Sequence, residues 1–468
     1  MSPSLAISHF ASERYPRAYR SLSSPLGPRG GMALFAASLV VSLFLHLPGN
    51  LPYDALTIWS EVRSRVIVSQ HPPTMALIWH ILEYILPGPW LFTSLEIAIL
   101  FAAAALFIHR MGTPVILALG FYAAFLFWPP MFAVEGHLQK DVLGAHLAIL
   151  AFVLLLRPGR RLALAGGLAF ALCAVAMMAR YQYAIAFAGL SALLWWHATA
   201  MNSAQKARVF LTSLLSAAAV MLALLVGITW TFTFVANGDI AQSVRKILIF
   251  DIAGTVANQP DVPLTILAAH VDTAVVRAAM LRLYDADTLA TLWEGGGVFK
   301  LLANVPDTTL KHEWIEVLTQ APVAFFTHRA EAFLHLNAIG TPYTCGVHFF
   351  GSPSPLPEDP PSTVSLAASI VLSVSEGILS HRFFPANTVM FRPWLYVVMN
   401  GIILVLATMG RAGMFSAALS ATALLYHLTF FILPQACDFR YSYFVMVSAG
   451  FSMMEALVLP SRPRDNAK

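Results

Sequence analysis

The sequence predicts an all-α polytopic membrane protein with about ten transmembrane helices and a long, mostly helical outer region. Three observations predict it. Of 468 residues, 58% are hydrophobic and 11% charged, whereas soluble globular chains run at about 45–50% apolar and about 25% charged. The apolar residues gather in runs close to the roughly 20 residues that a helical span needs. Those runs do not alternate with polar residues as barrel strands do, so helices, which satisfy their own backbone groups in lipid, are the expected form. The same composition excludes intrinsic disorder. With 27 Gly, 29 Pro and 3 Cys, collagen-like and disulfide-stapled chains are excluded too.

The candidate spans lie near 31–47, 91–108, 113–129, 142–156, 162–179, 182–199, 209–236, 392–409, 414–433 and 441–459. The first seven belong to an N-terminal membrane module, 31–236, and the last three to 392–459. Residues 1–30 have no apolar h-region, so they read as a cytoplasmic tail and the first span as a signal anchor. Orientation follows from Lys and Arg in the short loops. If the tail is cytoplasmic, that side collects Arg14, Arg17, Arg20, Arg29, Arg110, Arg157, Arg160, Arg161, Lys206, Arg208 and Arg411. It also receives the basic residues of a second tail, 460–468. Nearly all the acids fall on the other side. The segment 363–379 is apolar enough to dip into the bilayer and is read as amphipathic or re-entrant. Cys173 falls in a span. Cys345 and Cys437 fall outside, where they either pair or stay as thiols.

Two outer segments are large, 48–90 and 237–391, and the second holds fourteen of the 24 acids. Its stretches 262–293 and 308–338 look helical, and the Pro-rich tract 341–362 looks like a loop. No internal repeat is present. The phosphate-binding loop G-x-x-x-x-G-K-[ST] and the nucleophile elbow G-x-S-x-G are both absent. His312-Glu313 lacks the second His of a zincin.

In the first outer segment, Leu56, Trp59, Val62 and Val66 recur at helical spacing, with Asp54, Glu61, Arg63 and Arg65 on the rest of the surface. That is the pattern of a helix lying in the interface. Asp54 at its start is either an N-cap or a carboxylate placed to take a proton from an acceptor hydroxyl. His71-Pro72-Pro73 breaks this helix, and 74–86 starts a second, apolar one. The second outer loop brings Glu135, His137, Lys140 and Asp141 to the end of a span. Two more outer ends are cationic, Arg180-Tyr181-Gln182-Tyr183 and Asp438-Phe439-Arg440-Tyr441. A guanidinium fork suits phosphate, and flanking tyrosines suit a headgroup or sugar; snorkelling anchors are the plainer alternative. Glu96 lies inside a span, where ionisable groups are functional suspects. Glu455 sits near a cytoplasmic end and reads as snorkelling.

The order of these features resembles the GT-C glycosyltransferases, which use polyprenyl-phosphate sugars as donors. Tyr53-Asp54 matches the early acid of that superfamily, and His71-Pro72-Pro73 matches a segment opening a short apolar helix. Glu135 through Asp141 match a charged loop after the third span. The KDVL run at 140–143, the Arg180 segment and DFRY at 438–441 look most like a bacterial branch of GT-C-like proteins. The resemblance covers 31–200 well and the last three spans loosely. The outer region matches in position and in its helical stretch 315–338.

The resemblance implies inverting transfer of a sugar from a polyprenyl phosphate to a glycan, lipid or protein acceptor, on the extracytoplasmic face of a bacterial inner membrane. Asp54 would be the general base, with Glu61 or Glu135 as substitutes. Lys140, Arg180 and Arg440 would cradle the phosphate, helped by His71. Tyr53, Asp141, Tyr181, Tyr183, Asp438 and Tyr441 would position the substrates. No nucleic acid is implied. Lone acids stand where metal-using members have pairs, so no cofactor is expected and a divalent cation is not favoured. A secondary transporter is the non-enzyme alternative; it predicts inverted repeats and mid-membrane ionisable groups. A polysaccharide ligase or polymerase is a third reading.

Overall fold

The computed structural model describes residues 24–49, 51–67, 72–234, 240–293, 297–340, 389–433 and 437–459. It is helical almost throughout. The membrane-type helices are α1 (Pro28–His46), α4 (Trp90–Met111), α5 (Val115–Phe127), α6 (Pro129–Glu135), α7 (Lys140–Leu155), α8 (Leu162–Ala179), α9 (Ala184–Ala198), α10 (Ser203–Thr231), α15 (Pro393–Thr408), α16 (Met414–Ile432) and α17 (Tyr443–Val458). Between α1 and α4 lie α2 (Tyr53–Ser64) and α3 (Thr74–Glu83). The segment between α10 and α15, read from the sequence as an outer region, holds α11 (Ile240–Asn258), α12 (Thr273–Leu283), α13 (Asp307–Gln320) and α14 (Pro322–Leu336).

Local chemistry sets several boundaries. Asn202 caps α10 in a reciprocal box with Gln205, and Asp272 caps α12. Gly112 ends α4 in the left-handed conformation. Arg65 does the same for α2, at φ 55°.

Each of the ten expected segments is helical, but they differ in reach. Six described helices are long and apolar enough to cross a membrane: α1, α4, α8, α10, α16 and α17, with α8 and α17 each counted with the 3₁₀ turn before it. A seventh crossing arises if α5 and α6, bent by 58° at Trp128, act as one. The others fall short. The 16 residues of α7 and of α15 and the 15 of α9 rise only about 22–24 Å at 1.5 Å per residue, against a hydrocarbon core of about 30 Å. At both ends of α9, turns take up residues that the sequence assigned to the span.

α8 packs between α7 and α10; α4 lies against α1 and α7; α17 joins α7, α15 and α16. A buried apolar core runs through this bundle. A second core, within residues 248–332, is made by α11 against α12, α13 and α14.

The first outer segment departs from expectation in its orientation. The buried face of α2 is Ala55, Ile58, Glu61 and Val62, whereas Leu56 and Trp59 are half-buried. The helix packs on α3, so its inward stripe is rotated from the predicted one. After α2, a two-residue strand β1 (Val66–Ile67) pairs in parallel with β2 (Thr233–Phe234). That pairing fastens the first outer segment to the end of α10. Glu455 is buried rather than snorkelling: it accepts from the backbone N–H of Ser416 at 2.9 Å, so it caps α16 from the neighbouring helix. The segment 363–379, the tract 341–362 and Cys345, whose pairing with Cys437 the sequence leaves open, lie outside the described residues, and Cys173 is buried and free.

Candidate functional site

Four elements far apart in the chain meet at one end of the bundle. Asp54 stands in the first turn of α2, Lys140 opens α7, and Arg180 follows α8 in extended conformation. Arg440 lies in the 3₁₀ turn Phe439–Ser442 that leads into α17. Lys140 Nζ donates to Asp54 Oδ2 at 3.0 Å, and an Arg440 NH1 lies 3.1 Å from the same oxygen. All three side chains are largely buried, with 13–20% of the surface exposed.

The surroundings fix the two arginines. Asp438 accepts the backbone N–H of Arg440 at 3.0 Å and pairs with its Nε at 2.8 Å, so one residue both caps the turn and aims the guanidinium. Gln139 Oε1 accepts from Arg440 at 2.5 Å. Arg180 pairs with the buried Asp141 and donates from Nε to Gln182 at 2.7 Å. The ring of Tyr441 lies under both arginines, 4.7 Å from the Arg180 guanidinium and 5.3 Å from that of Arg440. Phe430 of α16 adds a second face to Arg180 at 5.3 Å. Tyr183 is buried, stacks on Tyr426 at 4.8 Å and donates to the main-chain oxygen of Asp141 at 2.8 Å. Gly144 makes this possible, because a Cβ there would stand 2.2 Å from the Tyr183 ring.

The cluster is electrically balanced: Lys140, Arg180 and Arg440 face Asp54, Asp141 and Asp438. In this state both cations next to Asp54 are engaged by its carboxylate, whose Oδ2 is occupied by two charged donors. An incoming anion would compete with Asp54 for Lys140 and Arg440. On taking them, it would leave the carboxylate free to accept a proton.

Of the residues expected here, Asp54, Lys140, Asp141, Arg180, Tyr183, Asp438, Arg440 and Tyr441 are brought together. Glu61 is not among them. It is buried, and seven residues along α2 set it about 10 Å from Asp54 along the helix axis. Glu135 is buried at the end of α6 and accepts from Ser42 at 3.0 Å, apart from the cluster. Tyr181 is 61% exposed. His71 lies outside the described residues, as does the side chain of Tyr53.

Gln139 and Phe430 were not anticipated. Gln139 adjoins Lys140 in sequence, and Phe430 carries no polar mark at all. Among the described residues no three His, Cys, Asp or Glu side chains converge as metal ligands would.

A deeper set of polar groups lies in the membrane bundle. Glu96, Glu135, His146 and Tyr443 are all buried. His146 bridges the main-chain oxygen of Glu96 and the hydroxyl of Tyr443, at 2.8 Å each. Compared with known protein families, with curated proteins and with solved structures, the chain matches none.

Proposed function

We propose that this chain is an integral-membrane glycosyltransferase of the GT-C type. It would span the bilayer ten times, with three of the shorter helices crossing where the protein thins the membrane. The site would lie on the extracytoplasmic face of a bacterial inner membrane. The observation that carries the reading is the meeting of Asp54, Lys140 and Arg440 within 3.1 Å, with Arg180 on the same aromatic floor.

Lys140, Arg440 and Arg180 take the phosphate of a polyprenyl-phosphate sugar, and its oxygens replace the Asp54 carboxylate. The bond from the anomeric carbon to the phosphate oxygen breaks, and the lipid phosphate leaves with the electron pair. The acceptor hydroxyl attacks from the opposite face and loses its proton to Asp54. Cations supply the charge stabilisation, so no metal is invoked. Acceptors are a glycan, a lipid or a protein, covered by the outer helices.

The test is transfer from a labelled polyprenyl-phosphate sugar by the purified protein in lipid. Arg440→Gln is expected to lower turnover about 10²–10³-fold, the usual cost of one preorganised donor. No transfer by the wild type to any acceptor in a membrane extract sinks the proposal.

The charge of Lys140 is tested by substitution. Lys140→Arg keeps a cation beside Asp54 and is expected to retain donor binding, whereas Lys140→Met is expected to weaken it. Equal binding by Lys140→Met would remove Lys140 from the cradle.

A transporter is favoured by one specific observation, the buried Glu96, Glu135 and His146. Substrate uptake into sealed vesicles without covalent transfer would decide for it.

A further inference from the structure

Glu96 lies in the second turn of α4, has no exposed surface, and neither of its carboxyl oxygens has a hydrogen-bond partner among the described residues. The backbone N–H of Gln139 faces it, outside hydrogen-bonding geometry. Glu135 has one oxygen on Ser42 and the other bare. Among the described residues no Lys or Arg side chain acts on either acid. Around them, α1 contributes Ser42 and His46, α7 contributes His146, and α17 contributes Tyr443, which lies within electrostatic range of both carboxyls. His146 donates from Nδ1 to the Glu96 main-chain oxygen and accepts the Tyr443 hydroxyl at Nε2. In that arrangement its ring carries no charge to offset an anion.

A bare carboxylate with no donor and no counter-ion is among the costliest groups to bury, and a carboxylic acid is not. The ligand that discharges Glu96 must be very small, because the site is closed and offers no converging set of metal donors among the described residues. We propose that Glu96, flanked by Glu135 and Tyr443, is a proton-binding site on the bundle side of the ion cluster. Gln139 stands between the two: its backbone faces Glu96 and its side chain accepts from Arg440. Proton occupancy and the charge state of the cluster are thereby linked, and each biases the other. This inference does not depend on glycosyl transfer, since a proton site is read without any substrate.

The experiment uses the full chain in lipid bilayers, with infrared spectroscopy and labelling by dicyclohexylcarbodiimide located by peptide mass spectrometry. The expected result has three parts. At neutral pH the carbonyl band of a protonated carboxylic acid is present; Glu96→Gln removes it; and the carbodiimide modifies Glu96. Glu96→Gln should fold as the wild type does, because an amide has the shape and neutrality of the protonated acid. If that variant fails to fold, labelling of the wild type still decides.

Absence of both the band and the label overturns the proposal. So does a band lost in Glu135→Gln but retained in Glu96→Gln. Protection of Glu96 by sodium chloride at fixed pH overturns it as well, by making the site one for a metal cation.

Discussion

Asp54→Asn is expected to lower the turnover of sugar transfer by about 10²–10⁴-fold, the range that a positioned general base contributes. Asn keeps the size of the side chain and one acceptor oxygen, so it can still receive Lys140 or Arg440. What it loses is charge and the ability to take a proton. The distinguishing feature is the direction of the donor KM. Lys140 and Arg440 are held 3.0 and 3.1 Å from Asp54 Oδ2, and their internal competitor disappears in the variant. Donor binding should be unchanged or tighter while turnover collapses. A residue that merely holds two cations in place would give the opposite split, with a raised KM and a preserved turnover. Steady-state kinetics on purified protein separates these outcomes, and unchanged turnover removes Asp54 as the base.

The outer cluster was legible because the chain is so poor in charge. Asp54, Lys140, Arg180 and Arg440 stand at the ends of apolar runs, where an ionisable side chain is conspicuous. Their convergence was not legible, since it depends on the packing of α7 against α8 and α17. Depth was misread for the same reason. Glu135 follows a Trp-Pro-Pro that looks like a loop, yet α6 folds it inward onto Ser42. His146 and Tyr443 sit in helices whose neighbours are apolar, and only the fold pairs them. The rotation of α2 has a different origin. Alternation along one helix gives an apolar stripe, but the stripe that is buried is the one its partner α3 covers, and that choice admitted Glu61.

Asp251 is the clearest case of a determinant invisible in sequence, and Asp251→Ala is expected to cost about 3–5 kcal/mol, the usual penalty for stranding one member of a buried ion pair. Its side chain is completely buried. Oδ2 receives Arg329 at 2.6 Å and the indole N–H of Trp314 at 2.7 Å, while Oδ1 lies 3.2 Å from His328 Nε2. The other nitrogen of that ring meets the Tyr284 hydroxyl at 2.6 Å. Gly254 leaves room for the imidazole, since a Cβ there would stand 2.0 Å from Nδ1. Trp314, His328 and Arg329 thus share the Asp251 carboxylate, with Tyr284 joined through His328, and no local motif announces them. Arg329 also donates to the main-chain oxygen of Ile432 at 2.5 Å, which ties the outer helices to the end of α16. The main-chain oxygen of Asp287 accepts the backbone N–H of Cys437 at 2.7 Å, two residues from the Phe439 turn that carries Arg440. Loosening the outer core should therefore disturb Arg440 as well as stability. Denaturant or thermal unfolding of the solubilised protein reads the first effect and donor binding the second. The double variant Asp251→Leu with Arg329→Met removes both charges, and it is expected to lose less stability than Asp251→Ala alone, because an apolar replacement strands no ion. A double variant that is less stable than the single one would show that the hydrogen bonds to Ile432 and Trp314, rather than the stranded charge, dominate the cost.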